Sequence, residues 1–252
     1  MKHNSPDLWV QALPVKEQFR HKYNYGHALI YAAPELTGAT RLAATACARV
    51  GAGLVTVLTT KDTADIYRTS LPPHILVRDD LGWWDDRITA RLYGSGGLPT
   101  QPDYTKDIPT VLDADALQNL PDKLTPNYIL TPHEGEFAKA FADIEGNKEE
   151  QAVKAAKKIG AHIVLKGPET IIAAPDGSYI KNTHATPDLA TAGTGDVLAG
   201  LITGLTAQNM QPTEACAAAT WIHGEAAKRI GIGLVASDIE KAVPEILKDL
   251  LG

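Results

Sequence analysis

The sequence predicts one α/β domain over residues 1–252, with a mostly parallel central sheet and helices on both faces. Two observations predict it. Short β-type runs alternate with helix-type runs, the order that builds parallel sheets. No internal repeat, low-complexity tract or long linker divides the chain, and 252 residues with 44% hydrophobic side chains support one sizeable core.

Each element has its own signal. "HALIYA" (27–32) and "LVTVLTT" (54–60) are apolar enough for buried strands, with a small-residue helix, "GATRLAATACARVG" (38–51), between them. "HILVR" (74–78) and "ITARLYG" (88–94) read as further short strands. The 82–108 stretch is rich in Gly, Pro, Asp and Trp and gives no regular pattern. "TVLDADAL" (110–117) is a strand running into two acids, and "YILTPHEGEFAKAF" (128–141) runs from strand through turn to helix. "KEEQAVKAAKKIG" (148–160) is a charged amphipathic helix with Gly160 placed to end it. "HIVLKG" (162–167) is a strand, and "PDG" (175–177) marks a hairpin. Helices follow near 196–208, 212–230 and 237–250.

In such a sheet, ligands bind beyond the carboxyl ends of the strands. Asp113 and Asp115 follow "TVL" there, Thr131 to Glu134 follow "YIL", and Lys166 and Gly167 follow "HIVL". "LATAGTGDVLAG" (189–200) opens a helix with small residues at 192–195. Glycines at a helix start let backbone N–H groups point at an anion, and the helix dipole adds to the attraction. "AGTGD" therefore reads as a phosphate cradle, with a flexible turn capped by Asp as the plainer alternative. It lacks the Lys-Ser/Thr of a P-loop and the spacing of a GxGxxG fingerprint. A carboxylate beside a phosphate site is costly unless it has chemistry to do. Asp196 is thus the candidate base that deprotonates a substrate hydroxyl attacking phosphorus, rather than only a helix cap.

Composition narrows the partners. A net charge of −6 argues against broad nucleic-acid or anionic-membrane binding. The two cysteines, Cys47 and Cys216, lie in Ala-rich helical stretches without CxxC neighbours, so no disulfide is expected. The N-terminus has no apolar signal region, and no run of about 18 apolar residues exists to span a membrane. A cytoplasmic protein is the expectation.

Six blocks, spread over about residues 20–228, resemble the ribokinase-like superfamily and, within it, the NAD(P)H-hydrate dehydratase family. They are "HKYNYGHALIYAAPELTGATRLAATACARVGAGLVTV", "VLDADAL", "ILTPHEGEF", "VLKGPETIIAAPDG", "LATAGTGDVLAGLITGL" and "EACAAATWIHGEAA". The resemblance implies a three-layer ribokinase-like sandwich. It also implies dehydration of the S epimer of NADHX or NADPHX, driven by ADP in bacterial-type members and ATP in eukaryotic ones, with Mg²⁺. The substrate hydroxyl is phosphorylated first and phosphate is then eliminated. Position by position, it implies that Asp196 takes the hydroxyl proton. Gly193, Thr194 and Gly195 hold the phosphoryl group. Lys166, Gly167, Pro168, Glu169 and Thr170 hold the nucleotide's ribose and phosphate. Ala39, Gly96 and His133 contact the hydrated cofactor, Gly94 being the alternative to Gly96 and a helix-capping role the alternative for His133. Asp113 and Asp115 order the site or approach Mg²⁺, Asp115 alternatively capping the next helix, and Glu136 is a first-turn helix acid, with holding Mg²⁺ through water as its alternative. No residue is assigned as a metal ligand.

The sequence departs from the family at named places. The family's Gly-Ser after the first strand is "AAP" (32–34), and its "HKG" is "HKY" (21–23). Its "GPGLG" loop is "GSGGL" (94–98), followed by only about a dozen residues before the next strand, so a helix there is shortened or absent. Its "TGNPGMAT" is "HATPDLAT" (184–191). The changes fall on the cofactor side more than on the nucleotide side. A fused epimerase domain is not part of this chain, so action on one epimer is expected. ADP rather than ATP is expected by association, since a short chain without a targeting segment suits the bacterial type, and a homo-oligomer such as a tetramer is a further expectation of the resemblance. The competing readings are a ribokinase-like kinase of a small vitamin-type alcohol and a nucleotide-binding module without catalysis.

Overall fold

The computed structural model describes all 252 residues. Ten strands form one sheet: β1 (Lys2–His3), β2 (His27–Tyr31), β3 (Leu54–Leu58), β4 (Leu76–Arg78), β5 (Ala90–Tyr93), β6 (Thr110–Leu112), β7 (Tyr128–Leu130), β8 (His162–Leu165), β9 (Thr170–Ala173) and β10 (Tyr179–Asn182). The helices are α1 (Thr37–Arg49), α2 (Lys61–Ser70), α3 (Glu134–Ala140), α4 (Lys148–Ile159), α5 (Thr194–Ala207), α6 (Pro212–Ile230) and α7 (Ala236–Leu251). The strand order is β1-β10-β9-β8-β7-β6-β5-β2-β3-β4, and only β9 runs against its neighbours.

Strand alternation divides the core in two. Ala28 and Ile30 of β2 face the layer of α1, α5, α6 and α7, while Leu29 and Tyr31 face the opposite layer with α3 and α4. Two elements go beyond the sequence expectations. The polar segment 61–70 is a helix, α2, although only Thr63, Ala64 and Tyr67 are buried, too few apolar residues to mark a helical face. The N-terminal residues also join the fold: β1 pairs with β10, and Trp9 is 1% exposed.

The segment between β5 and β6 contains no helix, as its length predicts. Arg91, fully buried, holds it instead. Its guanidinium donates to the carbonyls of Asp103 (2.9 Å) and Lys106 (2.7 Å) and to Thr110 Oγ1 (3.2 Å). These fixed dipoles replace the water that the charge has lost.

α5 carries the Gly-Asp turn, and its packing fixes where that turn sits. Gly200 and Gly204 let α5 press against α1. A Cβ on Gly200 would strike the carbonyl oxygen of Ala43, and one on Gly204 would lie 2.6 Å from that of Cys47. Backbone cannot yield as a side-chain tip can. Gly200→Ala is therefore expected to cost roughly 1–3 kcal/mol, read as a lowered melting temperature.

Candidate active site at the carboxyl edge of the sheet

The first turn of α5 has the geometry of an anion cradle. Gly193 sits in the left-handed region at φ 90°, where a side chain would meet Leu42 Cδ1 at 2.6 Å and Ala236 Cβ at 3.0 Å. The Thr194 hydroxyl turns back to donate to the carbonyls of Leu189 (2.9 Å) and Thr191 (3.1 Å), closing the loop. No side chain caps α5, so the N–H groups of Thr194, Gly195 and Asp196 have no intrahelical acceptor. Asp196 is the third helical residue and not the cap, which removes the plain capping reading.

Four strand ends converge beside this turn. Asp113, 3% exposed, follows β6. Its Oδ1 accepts from Thr131 Oγ1 (2.8 Å) after β7 and from Lys166 Nζ (3.1 Å) after β8. Its Oδ2 accepts from Ser95 Oγ (3.1 Å) after β5. Both oxygens are thus engaged, and Asp113 ties together the segments that follow β5, β7 and β8. Lys166 also faces the cradle: a Cβ built on Gly195 would lie 3.4 Å from its Nζ. Asp115, in contrast, is exposed and accepts from Gln118 Nε2 (2.8 Å), away from this cluster.

Asp196 is a perturbed acid. Burial is the main cause, and the nearby Asp113 carboxylate adds to it; Ser95 and Lys166 oppose them. The result is a carboxyl pushed up to about 6, within the range where a base works near neutral pH.

A cleft of about 830 Å³ opens beside the cradle. That is within the usual size for a small-molecule site. Lys166, Gly167, Pro168 and Thr170 line one side, Thr194 and Gly195 the floor, and the 185–190 segment the other side. Glu169 is not on this wall; its carboxylate pairs with Lys181 Nζ at 2.6 Å. A side chain at Gly167 would displace the Lys148 ammonium from its place beside it. Lys148 in turn donates to Glu134 Oε1 (2.9 Å) and the Lys166 carbonyl (3.2 Å).

The remaining expected residues are placed as follows. Gly96, at φ 81°, packs on the start of α1, and a Cβ there would meet Ala39 Cβ at 2.7 Å. Ala39 and Gly96 are therefore brought together. Gly94 is occupied with structure: a side chain would strike the Asp113 carbonyl oxygen. His133 caps α3, its Nδ1 accepting from the N–H groups of Gly135 (3.0 Å) and Glu136 (3.3 Å). Glu136 completes the box by accepting from the His133 N–H at 2.8 Å. The capping role is real, yet the ring still lines the cleft mouth.

Sequence reasoning missed Ser95, Thr131 as a ligand of Asp113, Lys148, Asn182, which lines the cleft, and His223. The His223 Nε2 donates to the Thr194 carbonyl at 2.9 Å, tying α6 to the cradle. Burial pushes its ring down to about 4, so it is neutral near pH 7. The "WIHG" sequence offers a buried histidine but not its target 29 residues away.

A profile of the NAD(P)H-hydrate dehydratase family matches residues 28–244. The chain belongs to this family. Within it, the ADP-dependent (S)-NAD(P)H-hydrate dehydratase of Bacillus subtilis is 32% identical, covering 94% of each chain. The bifunctional NAD(P)H-hydrate repair enzyme of Moorella thermoacetica is 36% identical over 96% of this chain and 53% of its own length. The chain spans about half the length of such bifunctional relatives. The solved structure of the Bacillus subtilis ADP/ATP-dependent NAD(P)H-hydrate dehydratase, co-crystallised with ATP and Mg²⁺, matches with a TM-score of 0.87 at 28% identity. That match covers 99% of this chain and 98% of the other. The fold is the expected ribokinase-like three-layer sandwich. No helix is long and apolar enough to cross a membrane.

Proposed function

We propose that this chain dehydrates (6S)-NADHX or NADPHX to NADH or NADPH, consuming ADP in preference to ATP and releasing AMP and phosphate. One observation carries the reading. A carboxylate tuned to about 6 stands on the same helix turn as an uncapped N–H cradle, beside the Lys166 ammonium.

Asp196 takes the proton of the substrate hydroxyl as its oxygen attacks the terminal phosphorus. The bond from that phosphorus to the bridging oxygen breaks, and AMP leaves. The N–H groups of the Gly193–Gly195 turn and the α5 dipole hold the charge on the phosphoryl group in flight. Lys166 supplies a point charge to the same oxygens. The ring nitrogen's lone pair then expels phosphate with the former hydroxyl oxygen, and loss of a neighbouring ring proton restores the double bond. Ala39, Gly96 and His133 are the proposed contacts of the hydrated cofactor. The Lys166–Thr170 segment is the proposed nucleotide rest, with Glu169 contributing through its backbone.

Mg²⁺, if it takes part, would be held by the nucleotide and not by the chain's own side chains. No group of three His, Cys, Asp or Glu side chains comes together to hold a metal, and Asp113 already accepts from Ser95, Thr131 and Lys166. This fits an ion carried on phosphate oxygens and water, where it would neutralise charge. No residue of the chain is assigned to it.

The test supplies NADPHX, Mg²⁺ and either nucleotide. Dihydronicotinamide absorbance should return, with one phosphate released per molecule restored. A phosphorylated product that accumulates without that return would favour a small-molecule kinase. Nucleotide binding without any turnover would favour a catalytically silent module. A pH dependence follows as well. Asp196 is a base only when ionised, so kcat should hold above about pH 6 and fall about tenfold per unit below it.

A further inference from the structure

The first turn of α4 grips the 166–170 loop from behind. Lys148 donates to the Lys166 carbonyl (3.2 Å) and to Glu134 Oε1 (2.9 Å). Its neighbour Glu149 pairs with Lys181 (3.1 Å), and the Lys181 ammonium pairs in turn with Glu169 (2.6 Å). One turn of one helix thus reaches both ends of the loop. Gly167 lines the cleft, whereas Lys148 stands outside it. The Glu134 side chain is 68% exposed, and an ion pair with so open a partner contributes little to stability. The bond to the Lys166 carbonyl is the contact of Lys148 that bears on the cleft.

Peptide planarity carries that contact to the other side of the loop. No peptide bond in the chain is cis, so the Lys166 carbonyl and the Gly167 N–H lie in one plane and point in opposite directions. With the carbonyl turned to Lys148, the N–H is turned away from it, towards the cleft that Gly167 lines. That N–H meets no acceptor within the chain. The backbone groups around it are taken or missing. The Lys166 N–H donates to the Pro132 carbonyl at 2.8 Å, and the Gly167 carbonyl accepts from Thr170 Oγ1 at 3.4 Å. Pro168 has no N–H. From Lys166 to Pro168, the Gly167 N–H is therefore the one backbone donor left for a ligand. Glycine adopts several backbone conformations at little cost, so an unheld peptide here could turn that donor elsewhere. We infer that Lys148 is a positioning residue for nucleotide binding: by holding the Lys166 carbonyl, it keeps the Gly167 N–H aimed into the cleft as a donor to an oxygen of the nucleotide. This rests on reading the cleft as the nucleotide's.

The experiment adds ADP to ¹⁵N-labelled protein, following the Gly167 amide by NMR and the affinity by calorimetry. In wild type the Gly167 amide proton should move downfield as ADP binds. In Lys148→Met the Kd for ADP should rise about three- to tenfold, the range that one hydrogen bond supports, and the downfield movement should be lost. Lys148→Arg, which keeps a charged donor, should restore both. In turnover the loss should fall on KM for ADP and leave kcat near wild type. An unchanged Kd in folded Lys148→Met overturns the proposal. So does a weakened Kd with the wild-type Gly167 response intact, because the ammonium would then act through its charge alone. ADP binding with the Gly167 response as described, but no turnover of NADPHX, would sink the dehydratase reading and leave this one standing.

Discussion

Asp196→Asn should lower turnover by orders of magnitude and, at neutral pH, make the protein more stable. The loss follows from removing the base, worth about 10²–10⁴-fold in kcat. The gain follows from the same environment that makes Asp196 a base. Burial and Asp113 raise its carboxyl from 3.8 to about 6, so the folded state holds a proton more tightly than the unfolded state does. Stability linked to this group is complete below about pH 4 and is lost as pH rises through about 6. At pH 7 the ionised side chain therefore opposes folding, by roughly 1–3 kcal/mol after allowing for its partial exposure. The asparagine variant should melt higher than wild type at pH 7, and the difference should close towards pH 4. Equal melting temperatures at pH 7 would mean that Asp196 is not strained by its surroundings.

Lys166→Met has the next largest expected effect, and it acts twice. Nucleotide affinity should fall by one to two orders of magnitude, because a point charge facing the cradle is gone. Stability should fall as well, because Asp113, 3% exposed, loses its ammonium partner and has only the Ser95 and Thr131 hydroxyls left. Breaking a fully buried pair costs about 3–5 kcal/mol, and Lys166 is 18% exposed, so roughly 1–3 kcal/mol is expected. Adding Asp113→Asn should recover most of the stability and none of the affinity. Thermal melts and ADP calorimetry on the single and double variants separate the two roles. A double variant that remains as unstable as the single one would show that the pair is not what Lys166 contributes to folding.

The legible part of this site was what lies on contiguous sequence. The "AGTGD" turn, "VLDADAL" and "HIVLKG" each carry residue types that make sense only at a strand end or helix start. The sheet topology then brings Asp113, Lys166 and Asp196 together. What stayed hidden depends on contacts between distant segments. Ser95 finds Asp113 across 18 residues and His223 finds Thr194 across 29, and no local pattern encodes either. Glu169 shows the converse. It sits inside a nucleotide-type motif, yet the β9–β10 hairpin brings Lys181 within ion-pair reach, and the side chain goes there. Gly200 belongs to the Gly-rich stretch by sequence but serves the α1–α5 contact. α2 was hidden for a compositional reason, a helix with one polar face and hardly any apolar one.

The central claim is that Asp196 and the α5 cradle drive phosphorylation of the substrate hydroxyl before it leaves. Following the oxygen of that hydroxyl tests it most directly. NADPHX carrying ¹⁸O in its ring hydroxyl would be turned over with ADP, and the released phosphate and water analysed by mass spectrometry. One labelled oxygen in each phosphate released is the predicted result, since the C–O bond breaks after the O–P bond forms. Label in water, with unlabelled phosphate, would mean that the hydroxyl departs without meeting the phosphoryl group, and the role assigned to the cradle would be wrong.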